Sequence, residues 1–373
     1  MARNSTTAPP ITDRALNRAT LARQGLLARE SVSAFDMVER LIGLQGQIHN
    51  APYVGLWSRL ENFRIADLEA LLLNRKVVRS TLMRVTLHVV TADDFLAIRP
   101  LIDPIAWRGF KTNHLKPLKG ADVEEILAAS RRLLDAEDLA PAALGERLRE
   151  RWPEVGAVEL SMPARFLEPV VHVPPAGLFG ATKAPALATA SRWLGCGPEK
   201  PIEIGALVLR YLKAFGPASG NDFNTWSGLT GGAGAMERLR PQLVSFAGAD
   251  GRELFDLPDA PRPSEDTPAS ARLLPDYDNV MLGYADRSRV LSAESQKGLW
   301  RANGFRPAFT VDGFIRGSWK FVIGKEAAKL DFTCFEPLRR KDEADLTREA
   351  KALIKAVAPG RKAEITFSTV AAE

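Results

Sequence analysis

The sequence predicts an α+β protein built from tandem winged helix-turn-helix units and a C-terminal β-rich, barrel-like domain. Three observations support this prediction. The chain has 373 residues, more than one hydrophobic core usually supports, so several compact units are expected. Helix-type patterns followed by paired strand-type patterns recur over the first 260 residues. After residue 271, alternating β-type patterns dominate.

The first winged helix is expected over residues 12–118, after a leader at residues 1–11 that is expected to be disordered. Thr12 or Asp13 can cap a first helix that runs to about residue 28, and Ser33 can cap a second. These capping residues predict that two helices open the fold.

A third helix is predicted over residues 65–75, because its apolar residues share one face, and it could serve as a recognition helix. The strand-type segments 77–80 and 84–90 follow it and are close enough to pair as an antiparallel wing. This element order predicts a winged helix.

The same order recurs in the second unit, residues 119–198, which combines helices at 122–134 and 141–151 with a strand at 166–173. In the third unit, residues 199–260, Ser219 or Asn221 can cap a helix that precedes a further helix and a hairpin.

Residues 261–271 are expected to be an exposed linker, because Pro, Ser and acidic residues are concentrated there. The β-rich domain is placed at residues 272–373. Its clearest feature is a hairpin over 308–324 that turns at Asp312 and Gly313, and a strand, a helix and a last strand follow.

Composition narrows the class of protein. The formal net charge of +5 permits nucleic-acid binding without requiring it. Cys196 and Cys334 fit neither a disulfide framework nor a zinc site, and no apolar stretch is long enough to span a membrane, so a reduced cytoplasm is expected. No phosphate-binding loop, dinucleotide fingerprint or serine-hydrolase motif occurs, which disfavours those enzyme classes.

Gln45 and Gln47 are the candidate catalytic pair. They lie two residues apart, with Gly43, Gly46 and His49 nearby, a composition unusual for a plain helix interior. From their spacing alone, a structural role in bonding backbone groups is the more common explanation.

Five further residues are candidate DNA contacts. His88 lies in the predicted hairpin with Arg79 and Arg84, where it could reach phosphates or a groove, or could be a buried strand-end histidine. Arg287 and Arg289 lie in a mixed-charge segment that could contact DNA or neutralise itself through ion pairs.

Other chemistry has weaker support. Asp36 and Glu39 could act as paired carboxylates, but such pairs are more often solvated helix surface. The four histidines show no metal-binding spacing, so neither a metal nor another cofactor is expected.

Five segments, in this order, resemble the AlkZ-like winged-helix DNA glycosylase family over about residues 12–372. The segments are LMRVTLHVVTADDF (82–95), FLEPVVHVPPAGLFG (166–180), FGPASGNDFNTWSGL (215–229), LLPDYDNVMLGYADRSRVL (273–291) and FRPAFTVDGFIRGSW (305–319).

This resemblance implies three winged helices and a β-rich domain around a concave basic surface. The family's Gln-x-Gln signature falls on Gln45 and Gln47, with Gly46 where an apolar side chain is common. The implied activity is that of a monofunctional glycosylase, without AP lyase activity, that removes bulky N7- or N3-alkylated purines, including those in interstrand crosslinks, in DNA repair or antibiotic self-resistance. The expected partner is duplex DNA, bound by a monomer.

Two alternatives remain at this stage. A non-catalytic winged-helix regulator would bind undamaged duplex sequence-selectively. A protein-interaction scaffold would show neither salt-dependent DNA affinity nor base release.

Overall fold

The computed structural model describes residues 8–292, 295, 298–301 and 304–370. Over these residues the chain is a mixed α+β protein with two five-stranded sheets and two smaller two-stranded ones. No helix in the described part of the chain is long and apolar enough to cross a membrane.

The first two helices begin at the expected caps. The Thr12 side chain accepts a hydrogen bond from the backbone nitrogen of Ala15, and helix α1 ends earlier than expected. Ser33 and Asp36 form a reciprocal capping box at the start of α2. The first elements of the chain, in order, are α1 (Asp13–Arg23), α2 (Ala34–Arg40), β1 (Leu44–Gln45), α3 (Ala51–Arg59) and α4 (Ile65–Leu73). The glutamine segment lies between β1 and α3.

The predicted hairpin forms from β2 (Val77–Thr81) and β3 (Leu87–Thr91), but it is not a free wing. It lies in the middle of a sheet of order β1-β3-β2-β4-β5, whose last strands, β4 (Val170–Val173) and β5 (Ala186–Thr189), come from the second predicted unit. Val77, Val78, Val89 and Val90 are all buried, so both faces of the hairpin need neighbours. The first two predicted units therefore share one sheet.

A helix replaces the start of the strand predicted at 166–173. Helix α8 runs from Ala157 to Leu167, and β4 begins only at Val170. Pro169 explains this boundary, because a residue before proline is driven to extended backbone, as Glu168 is. The other helices of this region are α5 (Ala92–Asn113), which was not predicted, and α6 (Val123–Ala136) and α7 (Pro141–Arg149), which were.

Within the third predicted unit, the helix α11 (Gly220–Ser227) begins as expected at Ser219, which forms a capping box with Asp222. Its aromatic core, which includes Tyr211, Phe215 and Trp226, is continuous with the core beneath the hairpin. The elements of this part of the chain are α9 (Ala190–Leu194), α10 (Ile204–Phe215), α11 (Gly220–Ser227), α12 (Gly232–Leu239), β6 (Val244–Ala247) and β7 (Glu253–Asp256).

The C-terminal part is an open sheet, so the barrel-like prediction is wrong. The elements are β8 (Arg272–Leu274), α13 (Asn279–Leu282), β9 (Trp300–Arg301), β10 (Gly304–Phe305), β11 (Ala308–Val311), β12 (Phe314–Ile323), β13 (Ala327–Cys334), α14 (Arg340–Val357) and β14 (Lys362–Thr369). The strand order of the sheet is β14-β13-β12-β11-β8, and in the described residues its outer strands do not pair with each other. Helix α14 connects β13 to the parallel strand β14 and packs Leu346 and Leu353 into the same core as the sheet.

The leader and the linker are both tied to the fold where the structure describes them. Pro9 and Ile11 exchange backbone hydrogen bonds with Ala247, which does not fit a leader disordered as far as residue 11. Residues 1–7 of that predicted leader lie outside the described part. Carbonyl oxygens of the linker, at Pro261, Glu265 and Thr267, accept hydrogen bonds from Arg23, Arg14 and Arg18 of α1.

Candidate functional site

The glutamine segment lies at the end of the first sheet, between β1 and α3. Gln45 is the last residue of β1 and pairs with His88 of β3. The Gly46 nitrogen then donates to the Leu87 carbonyl oxygen at 2.7 Å, after which the chain bends. Gln45 is 7% exposed, whereas Gln47 is exposed beyond the bend. The sheet therefore places one glutamine inside the protein and the other at its surface.

The side-chain oxygen of Gln45 is buried and accepts no hydrogen bond from the described residues. The other buried side-chain atoms that lack a partner in the described part of the chain are all arginine nitrogens, which are donors. Among the described residues, Gln45 Oε1 is therefore the one unpartnered buried acceptor of this kind. A buried polar atom without a partner is unfavourable by about 1–3 kcal/mol. Because buried acceptors are nearly always bonded, an unpartnered one is typical of a group that serves a ligand.

Arg79 of β2 holds the backbone between the two glutamines. Its Nε donates to the Gly46 carbonyl oxygen at 3.0 Å, and its side chain also donates to Nδ1 of His172 at 2.6 Å. Arg79 is 3% exposed, and burial lowers its pKa to about 10, so it stays cationic at neutral pH. Its expected role as a DNA contact does not fit this position, because almost no surface of the side chain can reach a phosphate.

His172 of β4 bonds to the same Arg79 side chain that holds Gly46. Since an arginine can only donate, His172 Nδ1 accepts, and the single proton of the neutral ring is on Nε2. Burial, and then the charges of Arg79 and Arg165, lower the pKa of His172 to about 3. His172 is thus a neutral hydrogen-bond donor at any pH near 7.

A cleft of about 140 Å³ adjoins the exposed glutamine. Gln47 forms one part of its wall, and Arg165 and His172 form another. Arg165 is partly buried, and burial lowers its pKa. The remaining lining residues are Thr81, Val85, Leu87 and Phe166.

His88 was expected at a groove or phosphate, but it is 2% exposed. Its Nδ1 lies 2.9 Å from the Thr86 carbonyl oxygen, and burial followed by the charge of Arg84 lowers its pKa to about 3. This is the buried strand histidine that was the alternative, so His88 supports the sheet rather than DNA.

The other expected DNA contacts also bond within the protein. Arg84 adopts a left-handed backbone at the hairpin tip and donates to the Trp226 carbonyl oxygen. Arg289 is 4% exposed, donates to the Pro217 carbonyl oxygen and lies over the ring of Tyr284.

Arg287 is only partly buried, and its Nε donates to the Met281 carbonyl oxygen at 2.7 Å. Of the five expected DNA contacts, Arg84 and Arg287 keep partial exposure, and the positions of the others favour structural roles. Asp36, half of the possible carboxylate pair, is used in the capping box of α2.

A second, larger cleft of about 550 Å³ also adjoins the glutamine segment. Ile48, 43% exposed and next to Gln47, lines it together with Trp319 and Phe321 of β12. Two basic side chains, Arg306 and Lys320, and two acidic ones, Asp276 and Asp331, also line this cleft. Gln47 and Ile48 therefore border two different clefts.

Two residues of the site were missed from the sequence. Arg165 lies on α8, which was not predicted as a helix, so nothing brought it near the glutamines. His172 lies inside the segment at 166–180 that carried part of the family resemblance, and that was the available signal. Their proximity to Gln47 depends on the pairing of β2 with β4 at Ser80 and Val171, which only the fold supplies.

The fold is that of a solved glycosylase. It superposes on the structure titled Streptomyces sahachiroi DNA glycosylase AlkZ with a TM-score of 0.76, over 97% of this chain and 100% of that one, at 20% sequence identity. This likeness places the chain in the fold class of that DNA glycosylase.

Residues 38–356 match the family described as DNA glycosylase AlkZ-like, and the chain belongs to that family. This confirms the resemblance seen in the sequence. A curated relative from Streptomyces sahachiroi, named interstrand DNA cross-link repair glycosylase, is 25% identical over 339 residues. The match covers 81% of this chain and 86% of the relative.

Proposed function

We propose that this protein is a monofunctional glycosylase that hydrolyses the N-glycosidic bond of bulky N7- or N3-alkylated purines in duplex DNA, with Gln45 and Gln47 as its catalytic residues. The observation that carries this proposal is the buried Gln45 Oε1, which accepts nothing from the described protein atoms and lies two residues from the exposed Gln47. A purely structural glutamine would have its buried oxygen bonded.

Two amides suffice for this chemistry when the base is cationic. An N7- or N3-alkylated purine takes the electron pair of the breaking C1′–N bond and leaves as a neutral base, so it needs no general acid. The sugar becomes an oxocarbenium-like cation, and a water attacks its C1′ and afterwards releases a proton to solvent. Gln45 Oε1 can accept a hydrogen bond from that water and orient it without taking the proton.

Hydrolysis without strand cleavage is supported by the residues of the cleft. An AP lyase needs an amine that forms a Schiff base with the sugar. Among the described residues that line the cleft beside Gln47, the basic side chains are Arg165 and His172, and none is a lysine. We therefore expect an abasic site as the product, and no borohydride-trapped protein–DNA adduct.

Interstrand crosslinks are included in the proposed substrates. The name of the curated relative supports this, and so does the 550 Å³ cleft that begins at Ile48, one residue from Gln47. Its lining combines apolar side chains with both basic and acidic ones, and its volume suits the bulk attached to an alkylated base.

The test is a base-release assay on duplexes that carry N7-alkylguanine or a defined crosslink, followed by alkaline cleavage at abasic sites. Gln45→Leu and Gln47→Ala should each abolish release, while circular dichroism and thermal melting show an intact fold. Exposed Glu61→Gln, away from the glutamine segment in sequence, serves as the control. Full activity of both glutamine variants would overturn the assignment, and sequence-selective binding without any release would favour the regulator.

A further inference from the structure

The cleft beside Gln47 is basic and has no acid. Its lining contains Arg165 and His172 but no Asp or Glu among the described residues. In the described part of the chain neither Arg165 nor the neighbouring Arg79 forms an ion pair, although most arginines there do, as Arg131 and Arg210 show. Buried or partly buried cations without a carboxylate are typical of a site that receives an anion.

One donor in this cleft, the His172 ring, is fixed in direction. Arg79 occupies Nδ1 of His172, which leaves the Nε2–H of the same ring as a donor. Arg79 is in turn held by the Gly46 carbonyl oxygen, at 3.0 Å. The ring of His172 is therefore linked through one side chain to the peptide between the two glutamines, and an anion held there is placed relative to both.

We propose that this cleft binds one phosphate of the DNA backbone next to the damaged nucleotide, with the Arg165 guanidinium and His172 Nε2–H as its donors. Arg79 is a positioning residue that orients His172 and the Gly46 peptide together. This proposal rests on the proposed glycosylase function, which identifies the bound polymer as DNA. It adds a contact that fixes where the damaged nucleotide lies along the protein. Because Gln47 lines the same cleft, a phosphate seated there brings the adjoining sugar to the glutamines.

The experiment measures binding, so that it does not depend on catalysis. Duplexes with a central lesion analogue that cannot be hydrolysed carry a single neutral methylphosphonate, moved one position at a time through three phosphates on each side. We expect one position at which the substitution weakens binding by wild-type protein about 10-fold, the loss expected for a charge-assisted hydrogen bond. Arg165→Gln should be insensitive to the same substitution.

Salt dependence supplies a second readout, which would not change if Arg165 had only a structural role. Removing one phosphate contact should reduce the slope of log K against log salt by about 0.9 in Arg165→Gln. Arg348→Gln is the matched control, because Arg348 is 70% exposed on α14 and paired with Asp345. His172→Phe should weaken binding at the same methylphosphonate position, and His172→Gln, which keeps an N–H donor, should recover part of it.

Two results would overturn the phosphate site. They are an Arg165→Gln variant that stays as sensitive to methylphosphonate as wild type, and an unchanged salt slope. If His172→Phe fails to fold, the Arg165 and His172→Gln measurements decide alone. Should base release be absent while the position-specific effect is present, the glycosylase proposal fails and the phosphate site stands. Base release without that effect would support the glycosylase proposal and overturn the phosphate site.

Discussion

The Nε atom of Arg79 donates a hydrogen bond of 3.0 Å to the carbonyl oxygen of Gly46, the residue between the two glutamines. The two residues belong to different strands of the sheet, since Arg79 lies in β2 and Gly46 follows β1. Strand β3 lies between β1 and β2 in the sheet, and Arg79 reaches across it. Positioning of the glutamine segment therefore depends on a cation that lies in the sheet and is hidden from DNA.

Arg79→Lys is expected to slow base release. A lysine keeps the charge but lacks the planar fork that serves Gly46 and His172 at once. We expect the single-turnover rate to fall about 10- to 100-fold, as a misplacement near 1 Å can produce. Arg64→Lys is the control, since Arg64 is 79% exposed and bonds to Asp67. A rate equal to wild type, in a folded Arg79→Lys protein, would show that the link has no part in the reaction.

Gln45→Leu is expected to separate stability from activity. The substitution removes a buried oxygen that has no partner among described atoms, so the free energy of unfolding should stay the same or rise by about 1 kcal/mol, while base release is lost. Gln24 is a matched buried glutamine whose amide bonds to Ala214 and Arg59, and Gln24→Leu should destabilise the protein. Urea unfolding measures the free energy of unfolding of both variants. A large loss of stability in Gln45→Leu would return Gln45 to a structural role.

Gly46→Ala probes the position between the two glutamines, where the family resemblance implied an apolar side chain. A Cβ at residue 46 would lie 3.2 Å from Cγ2 of Val89, so the neighbour must shift by a few tenths of an ångström. We expect a loss of about 1 kcal/mol in the free energy of unfolding, within the range for overpacking. Because the contact also displaces the peptide between the glutamines, we expect Gly46→Ala to slow base release. Adding Val89→Ala should restore part of that rate, even though it lowers stability further. Equal activity of the single and double variants would exclude this contact as the cause.

Local signals in the sequence predicted much of the secondary structure. Caps at Thr12, Ser33 and Ser219 sit where helices begin, and the Asp312–Gly313 turn joins two antiparallel strands as expected. These features depend on residues three or four apart, which a reader of the sequence can see. Helix α8 was not predicted, and its last two residues lie in a run that looked like the start of a strand, where Pro169 sets the boundary.

Long-range pairing was the part that could not be predicted. The hairpin of β2 and β3 was expected to be a wing, yet a single register pair, Ser80 with Val171, extends it into a sheet with β4. Burial of Arg79 and His88 follows from that pairing, and so do the low pKa values of His88 and His172. The glutamines were found from the family resemblance, while their basic neighbours came only from the fold.

His88 should make stability depend on pH. Burial lowers its pKa to about 3, whereas in the unfolded chain a histidine titrates near 6.5. Between these values the unfolded state binds the extra proton, so the free energy of unfolding falls as the pH drops. The loss from pH 7 to pH 5 should be about 2 kcal/mol for this one group. Urea unfolding at both pH values should show that His88→Leu lacks this part of the dependence. An identical pH dependence would mean that His88 is not buried as a neutral ring.

The ion pair of Arg59 and Asp278 should hold α3 against the turn before α13. Both side chains are fully buried, and two hydrogen bonds of 2.8 Å join them. Asp278→Asn leaves the arginine charge buried without its partner and should lower the free energy of unfolding by about 3–5 kcal/mol. Arg147→Met, which removes an ion pair whose members are about half exposed, should change it by at most about 1 kcal/mol.

The double variant Arg59→Met with Asp278→Asn separates an unpaired charge from a loss of packing. Removing the cation as well should restore part of the stability that Asp278→Asn loses, because no buried charge then lacks a counter-ion. Urea unfolding of the two single variants and the double variant gives the coupling between the residues directly. Additive losses would show that the two residues stabilise the protein independently. A double variant that is more stable than Asp278→Asn would show that each charge offsets the cost of burying the other.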